Sequence, residues 1–167
     1  MLLLGLGVES THESFPALRE EFLSAYDQRS SRLTVVFPEM EPVLAAIEAA
    51  GVPWGIVTNK MERLTQPVVR ALGLDTRAAA VVSGDTTPHA KPHPEPLFEA
   101  ARRAGVDPAA CIYVGDDHRD IVAGKAAGMA TVAVRWGYLG QGEPIENWGA
   151  DFVIDEPVEL LKLLNLA

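Results

Sequence analysis

The sequence has one cysteine, Cys111, in 167 residues, so no disulfide can form within the chain. Cys111 falls in an apolar run read as a buried strand, which points to a core thiol and a cytoplasmic protein. Basic residues are scarce: 14 Lys and Arg stand against 23 Asp and Glu, for a net charge of -9. With no Lys/Arg cluster, that balance excludes a nucleic-acid surface. Long apolar runs are missing too. Met1-Leu2-Leu3-Leu4 is too short to span a membrane and has no basic flank, so neither a membrane span nor a signal peptide is expected. No internal repeat or low-complexity tract is present.

What remains fits a globular protein. The chain is 48% hydrophobic and 22% charged, and its length suits one ordinary core. Its organising stretch is Val114-Gly115-Asp116-Asp117-His118-Arg119-Asp120. Cys111 to Val114 reads as a short strand, and Ile121 to Ala127 as a helix closed by Gly128. Three carboxylates therefore gather where a strand turns into a helix, the edge at which open α/β sheets bind ligands. Hard oxygen donors there suit Mg²⁺. Asp117 or Asp120 serves equally well as a helix N-cap.

In chain order, Phe15, Leu18, Phe22 and Tyr26 recur at helical spacing after the candidate cap Ser14. Residues 1–8 read as the end of another helix, interrupted by Gly5 and Gly7. A helix after Pro38 places Met40, Val43, Leu44 and Ile47 on one face and stops at Gly51. Trp54 to Val57 reads as a buried strand ending in Thr58-Asn59-Lys60. A helix with Leu64, Val68 and Leu72 follows, bent or restarted by Pro67. Next come a strand over residues 79–83, a turn-rich loop over residues 84–92, and a helix led by Pro94 and ended by Gly105. Strands at Ala130 to Val134 and Phe152 to Ile154 and a helix from Pro157 to Leu164 complete the order. The alternation predicts an α/β fold, a doubly wound, mostly parallel, Rossmann-like sheet with helices on both faces. Residues 1–35 are read as a partial helical cap and residues 36–167 as the core.

Three strand ends carry complementary chemistry. Thr58 and Asn59 supply a hydroxyl and an amide next to a helix start, where free N–H groups favour an anion. Lys91, in Ala-Lys-Pro-His-Pro-Glu-Pro, is a cation held by prolines. Asp116, Asp117 and Asp120 supply oxygen ligands. Anion cradle, fixed cation and acidic metal site are the components of phosphoryl transfer. His89 and His93 hint at zinc, a weak signal without cysteine or further acids. His118 and Arg119 are expected at the site's solvent side. Arg135, Trp136 and Tyr138 could line the pocket or serve the fold.

Three segments together resemble the last three motifs of the haloacid dehalogenase-like superfamily: Ile56-Val57-Thr58-Asn59-Lys60, Ala90-Lys91-Pro92-His93-Pro94, and Val114 to Ile121. The likeness is strongest to its phosphoglycolate phosphatase branch. Ala133-Val134-Arg135-Trp136-Gly137-Tyr138 and Asn147-Trp148-Gly149-Ala150-Asp151 are similar to the N-acetylmuramic acid 6-phosphate phosphatases of that branch. The resemblance implies a Mg²⁺-dependent phosphomonoesterase for a small phosphorylated metabolite, phosphoglycolate or a sugar phosphate, working through an aspartyl-phosphate. By that resemblance Thr58 holds the transferring phosphate with Asn59 and Arg119 nearby, Lys91 steadies phosphate and nucleophile, and Asp116 ligates Mg²⁺. Asp117 and Asp120 would support the metal. The family's first motif is a strand ending in Asp-x-Asp-Gly-Thr, and no Asp-x-Asp occurs in this sequence. In the family that strand lies between those ending near Val57 and Val114. Its absence implies that the chain alone is inactive. The alternatives are a non-catalytic fragment of the fold, or a self-associating module in which a second chain fills the gap as a homodimer.

Overall fold

In the computed structural model of the protein, residues 8–27, 34–139 and 142–166 are described. The helix end expected over residues 1–8 lies, apart from Val8, outside them. The chain divides into two compact units, Met1–Val35 and Val36–Ala167.

In the first unit, helix α1 spans Phe15–Asp27. Phe15, Leu18, Phe22 and Tyr26 are all half-buried, as their helical spacing predicts, and the Phe22 and Tyr26 rings stack 6.1 Å apart.

The second unit runs α2 (Met40–Ala49), β1 (Gly55–Val57), α3 (Glu62–Ala71), β2 (Ala80–Val82), α4 (Glu95–Ala104), β3 (Ile112–Gly115), α5 (His118–Ala126), β4 (Ala130–Val134), β5 (Phe152–Ile154) and α6 (Glu159–Leu163). Every strand pairing is parallel, β1 with β2, β3 with β4, and β4 with β5. β4 is the best-covered strand because it has a partner on both edges. Alternation along it sorts its side chains to two faces. Val132 and Val134 join Val43 and Ile47 of α2, Ile154 of β5 and Leu160 of α6 in one core cluster. Ala133 points the other way, to Ile121 of α5, Ile145 and Trp148. Leu97 and Ala101 of α4 meet Ala123 of α5 in a third cluster, against which Val57 and Tyr113 pack. Helices thus cover both faces of a parallel sheet, the doubly wound arrangement that the strand–helix alternation implies.

The sheet is in two pieces. Among the described residues β1 pairs only with β2, and β3 only with β4, so both strands have one edge without a backbone partner. Several expectations from the sequence change in the structure. β1 is not buried: Gly55 is exposed and Ile56 and Val57 are half-buried. Val114 is 38% exposed. Cys111 precedes β3 and is half-buried rather than fully buried, packing at the edge of the third cluster with its thiol 3.2 Å from the Asp107 carbonyl. On α3 the buried stripe is Leu64, Thr65 and Val69, one residue away from the expected Val68, and Pro67 sits within an unbroken helix.

Candidate active site

β3 ends at Gly115 and α5 begins at His118, leaving Asp116 and Asp117 in the turn. The turn is built by local hydrogen bonds. Asp117 is the N-cap of α5, its carboxylate accepting from the Arg119 N–H at 2.8 Å. Asp120 returns the bond, Oδ2 accepting from the Asp117 N–H at 3.2 Å, which completes a capping box. Asp117 is also held by the Arg119 guanidinium at 2.6 Å. That hydrogen-bonded cation, acting against partial burial, pulls the Asp117 carboxyl down to about 2. A Cβ at position 115 would run into the Asp120 carboxylate, so glycine there lets the α5 turn fold back against β3.

Lys91 arrives from the loop after β2. Its backbone is gripped from both sides by the Asn59 amide, Nδ2 donating to the Lys91 carbonyl at 2.8 Å and Oδ1 accepting from the Lys91 N–H at 3.0 Å. The ammonium then reaches Asp120 Oδ1 at 2.7 Å, the Val57 carbonyl at 2.8 Å and the Tyr113 hydroxyl at 2.9 Å. Three protons meet three partners, so this ammonium is fully satisfied. It bridges the two pieces of the sheet, touching the last residue of β1, the second residue of β3 and the first turn of α5. Burial, reinforced by the Asp120 charge, pushes the Tyr113 phenol well above its usual range. Tyr113 stays neutral, accepting from Lys91 while its own O–H points to the Val57 carbonyl at 3.4 Å.

Thr58 follows β1. Its N–H donates to the Val82 carbonyl at 2.9 Å, and its hydroxyl oxygen accepts from the Lys60 N–H at 3.1 Å, leaving the O–H proton to donate elsewhere. The helix start expected beside Thr58 comes later: α3 opens at Glu62, whose N–H is taken by Asp85 at 2.7 Å. Asp116 is held once, Oδ2 accepting from the Tyr138 N–H at 2.7 Å. Its other oxygen has no protein partner among the described residues. A cleft of about 270 Å³ opens there, lined by Phe37, Met40, Val114, Asp116, Trp136 and Gly137.

The residues singled out from sequence therefore take different posts. Lys91 and Asp120 meet directly, and Lys91 adjoins the residue before Thr58. Asp116, Asp117 and Asp120 do not converge as one ligand set: Asp117 and Asp120 are engaged in capping and ion pairs, and Asp116 alone has an oxygen to spare. One carboxylate with open space beside it fits Mg²⁺, which takes one or two protein carboxylates and fills its shell with water and phosphate oxygen. Both ends of the Asn59 amide hold the Lys91 backbone, and the Arg119 guanidinium is bound to Asp117. Arg135 is an outer tie, paired with Glu146 and Asp155, while Trp136 lines the cleft. Tyr113 was not singled out from sequence, and Tyr138 contributes its N–H to Asp116 rather than its ring, which is 76% exposed. A glycine between two aromatic residues just after a strand is the one local signal for Gly137 and the Tyr138 N–H: a Cβ at position 137 would strike the Asp116 carboxyl group.

The description "Haloacid dehalogenase-like hydrolase" belongs to the family model that matches residues 4–134. An N-acetylmuramic acid 6-phosphate phosphatase from Pseudomonas putida is 40% identical over the whole chain, which covers 75% of that protein. A phosphoglycolate phosphatase from Xanthomonas campestris is 46% identical over 145 residues, 86% of this chain and 65% of its own length. A crystal structure from Haemophilus somnus, of a "predicted phosphoglycolate phosphatase", superposes with a TM-score of 0.84 at 28% identity, covering 97% of this chain and 72% of that one. By its family match, its relatives and its parallel α/β core, the chain belongs to the haloacid dehalogenase-like hydrolases.

Proposed function

We propose that the chain supplies the phosphate-handling and metal-binding parts of a Mg²⁺-dependent phosphomonoester hydrolase acting on a small phosphorylated metabolite. The observation that carries this is the Lys91 ammonium, held by Val57 at the end of β1, Tyr113 of β3 and Asp120 of α5. It stands beside the strand that leads to Thr58 and the strand that leads to Asp116. The names of the Pseudomonas putida and Xanthomonas campestris relatives make N-acetylmuramic acid 6-phosphate and phosphoglycolate the first substrates to try.

In this role the Thr58 hydroxyl donates to a phosphate oxygen. Lys91 exchanges its Val57 or Tyr113 contact for the phosphate, keeping Asp120 as its counter-charge. Asn59 acts through Lys91 by fixing the loop, and Arg119 is held beside the turn by Asp117. Asp116 would hold Mg²⁺, which when bound offsets the charge of the phosphate.

The residues present stop short of the bond-breaking step. An aspartyl-phosphate needs a carboxylate in line with phosphorus and a second one to protonate the leaving oxygen. Asp117 and Asp120 are engaged and Asp116 is assigned to metal. The unpaired edges of β1 and β3 are suited to a strand bearing the paired aspartates, and the 167 residues by themselves are expected to be inactive. Phosphate release from both substrates with Mg²⁺ tests this; turnover by the chain alone would overturn the inactivity.

A second reading draws on the same open edges: a second copy of the chain pairs across them. Light scattering on the purified chain distinguishes the two, a dimer supporting self-association and a monomer excluding it.

A further inference from the structure

A second group of chemistry-bearing side chains lies on the far side of the Lys91 loop. Asn59 fastens the loop at Lys91, the Thr87 hydroxyl holds the His89 carbonyl at 2.8 Å, and the His93 N–H closes a turn on the Ala90 carbonyl at 3.0 Å. These bonds bring His89 and His93 to the same side, their rings stacked with centroids 4.5 Å apart. Glu95, at the start of α4, completes the group. Its Oε2 lies 2.9 Å from Nδ1 of His89 and 3.9 Å from Nδ1 of His93. Ligand atoms from all three residues lie within 4.8 Å of one another, and among the described residues they form the one group of three or more such side chains.

We propose that His89, His93 and Glu95 bind a divalent transition-metal ion of the zinc class at the protein surface. Two imidazoles and one carboxylate are a donor set that zinc accepts, with a further position left to water or an anion. Imidazole nitrogen also separates this site from the hard-oxygen chemistry of Asp116, since Mg²⁺ prefers oxygen. Around an ion bonded at about 2.0–2.2 Å, tetrahedral ligand atoms sit about 3.4 Å apart, so the wider separations have to close by up to about 1.4 Å while the His89–Glu95 contact opens by about 0.5 Å. The group can do so by side-chain rotation: the three side chains are 63%, 50% and 36% exposed while the backbone beneath them is held, and His93 Nδ1, which accepts from the Glu95 N–H at 3.2 Å, has to release that bond or leave Nε2 to the ion. As a bare ion pair the His89–Glu95 contact contributes little, because it is exposed. The ion would join the loop that carries Lys91 to the first turn of α4.

The test uses the whole chain, stripped of metal with chelator and kept in excess Mg²⁺ so that hard-oxygen sites are filled. Titration with Zn²⁺ by calorimetry is expected to give one ion per chain. Co²⁺ is expected to give the visible absorption of a four- or five-coordinate ion. His89→Ala with His93→Ala should abolish both signals, and Glu95→Gln should weaken Zn²⁺ binding about tenfold or more. His89 and His93 are exposed and Glu95 is only half-buried, so these variants should fold. A His12→Ala and His118→Ala double variant, which removes the other two histidines, should bind as the parent does. Absence of stoichiometric Zn²⁺ binding, or binding that survives loss of His89 and His93, overturns the proposal.

Discussion

Lys91 and Asp120 form an ion pair at 2.7 Å with their side chains only 10% and 8% exposed. Removing one partner leaves the other charge out of water and alone. Lys91→Met is therefore expected to cost about 3–5 kcal/mol of stability in urea unfolding. Replacing both residues, Lys91→Met with Asp120→Asn, should cost less than the sum of the single changes, because neither charge then remains. A Lys91→Met protein within about 0.5 kcal/mol of the parent would show that the pair does not hold the two pieces of the sheet together.

Gly137 and Asp116 are in close approach, and the Tyr138 N–H next in line grips Asp116 Oδ2. A methyl group at position 137 has to displace the carboxylate or the strand end. Gly137→Ala should cost about 1–3 kcal/mol and speed amide exchange at Tyr138. On the proposed role of Asp116 it should also weaken Mg²⁺ binding. Unchanged exchange at Tyr138 would mean that the turn absorbs the methyl group elsewhere.

Asp117 gives the protein a defined acid response. Its carboxyl titrates at about 2 in the folded chain and at about 3.9 in an unfolded one. A carboxyl held low favours folding above the unfolded value, and that contribution fades as pH falls from about 4 towards 2. The side chain is 36% exposed, so solvent screening leaves well under the full shift as stability. Asp117→Ala, which also removes the cap, is expected to cost about 1 kcal/mol near neutral pH, with a smaller deficit near pH 2. Asp117→Asn should keep most of the cap and lose only the pH-dependent part. A deficit that is constant from neutral pH to pH 2 would rule out the Arg119 pair as its source.

The readable features were those written in short-range pattern. The face of α2, the glycine stops and the strand ends at Thr58 and Asp116 follow from spacing and turn residues within a dozen positions. The Asn59 clamp on Lys91 spans 32 residues, and the Tyr113 and Tyr138 contacts each span 22. No local pattern marks the Asn59 or Tyr113 partners, and only the glycine at 137 marks the Tyr138 contact. Val57 was misjudged for another reason: apolar character reveals a strand, while burial depends on whether both edges find neighbours. Asp117 and Asp120 suit a cap and a metal equally well by type, and in the structure both take part in the capping box. Glu95 sits two residues from His93, yet only the turn at Ala90 brings His89 round to meet it.

Phosphate release is the most direct measurement. The chain would be assayed with Mg²⁺ on phosphoglycolate and N-acetylmuramic acid 6-phosphate, alone and fused to a strand segment bearing Asp-x-Asp-Gly-Thr. The expected result is no turnover by the chain alone and turnover by the fusion, abolished by Lys91→Ala or Asp116→Asn. Turnover by the unmodified chain, or a folded fusion that remains inactive, would contradict the assignment of the open β1–β3 edges to a nucleophile-bearing strand.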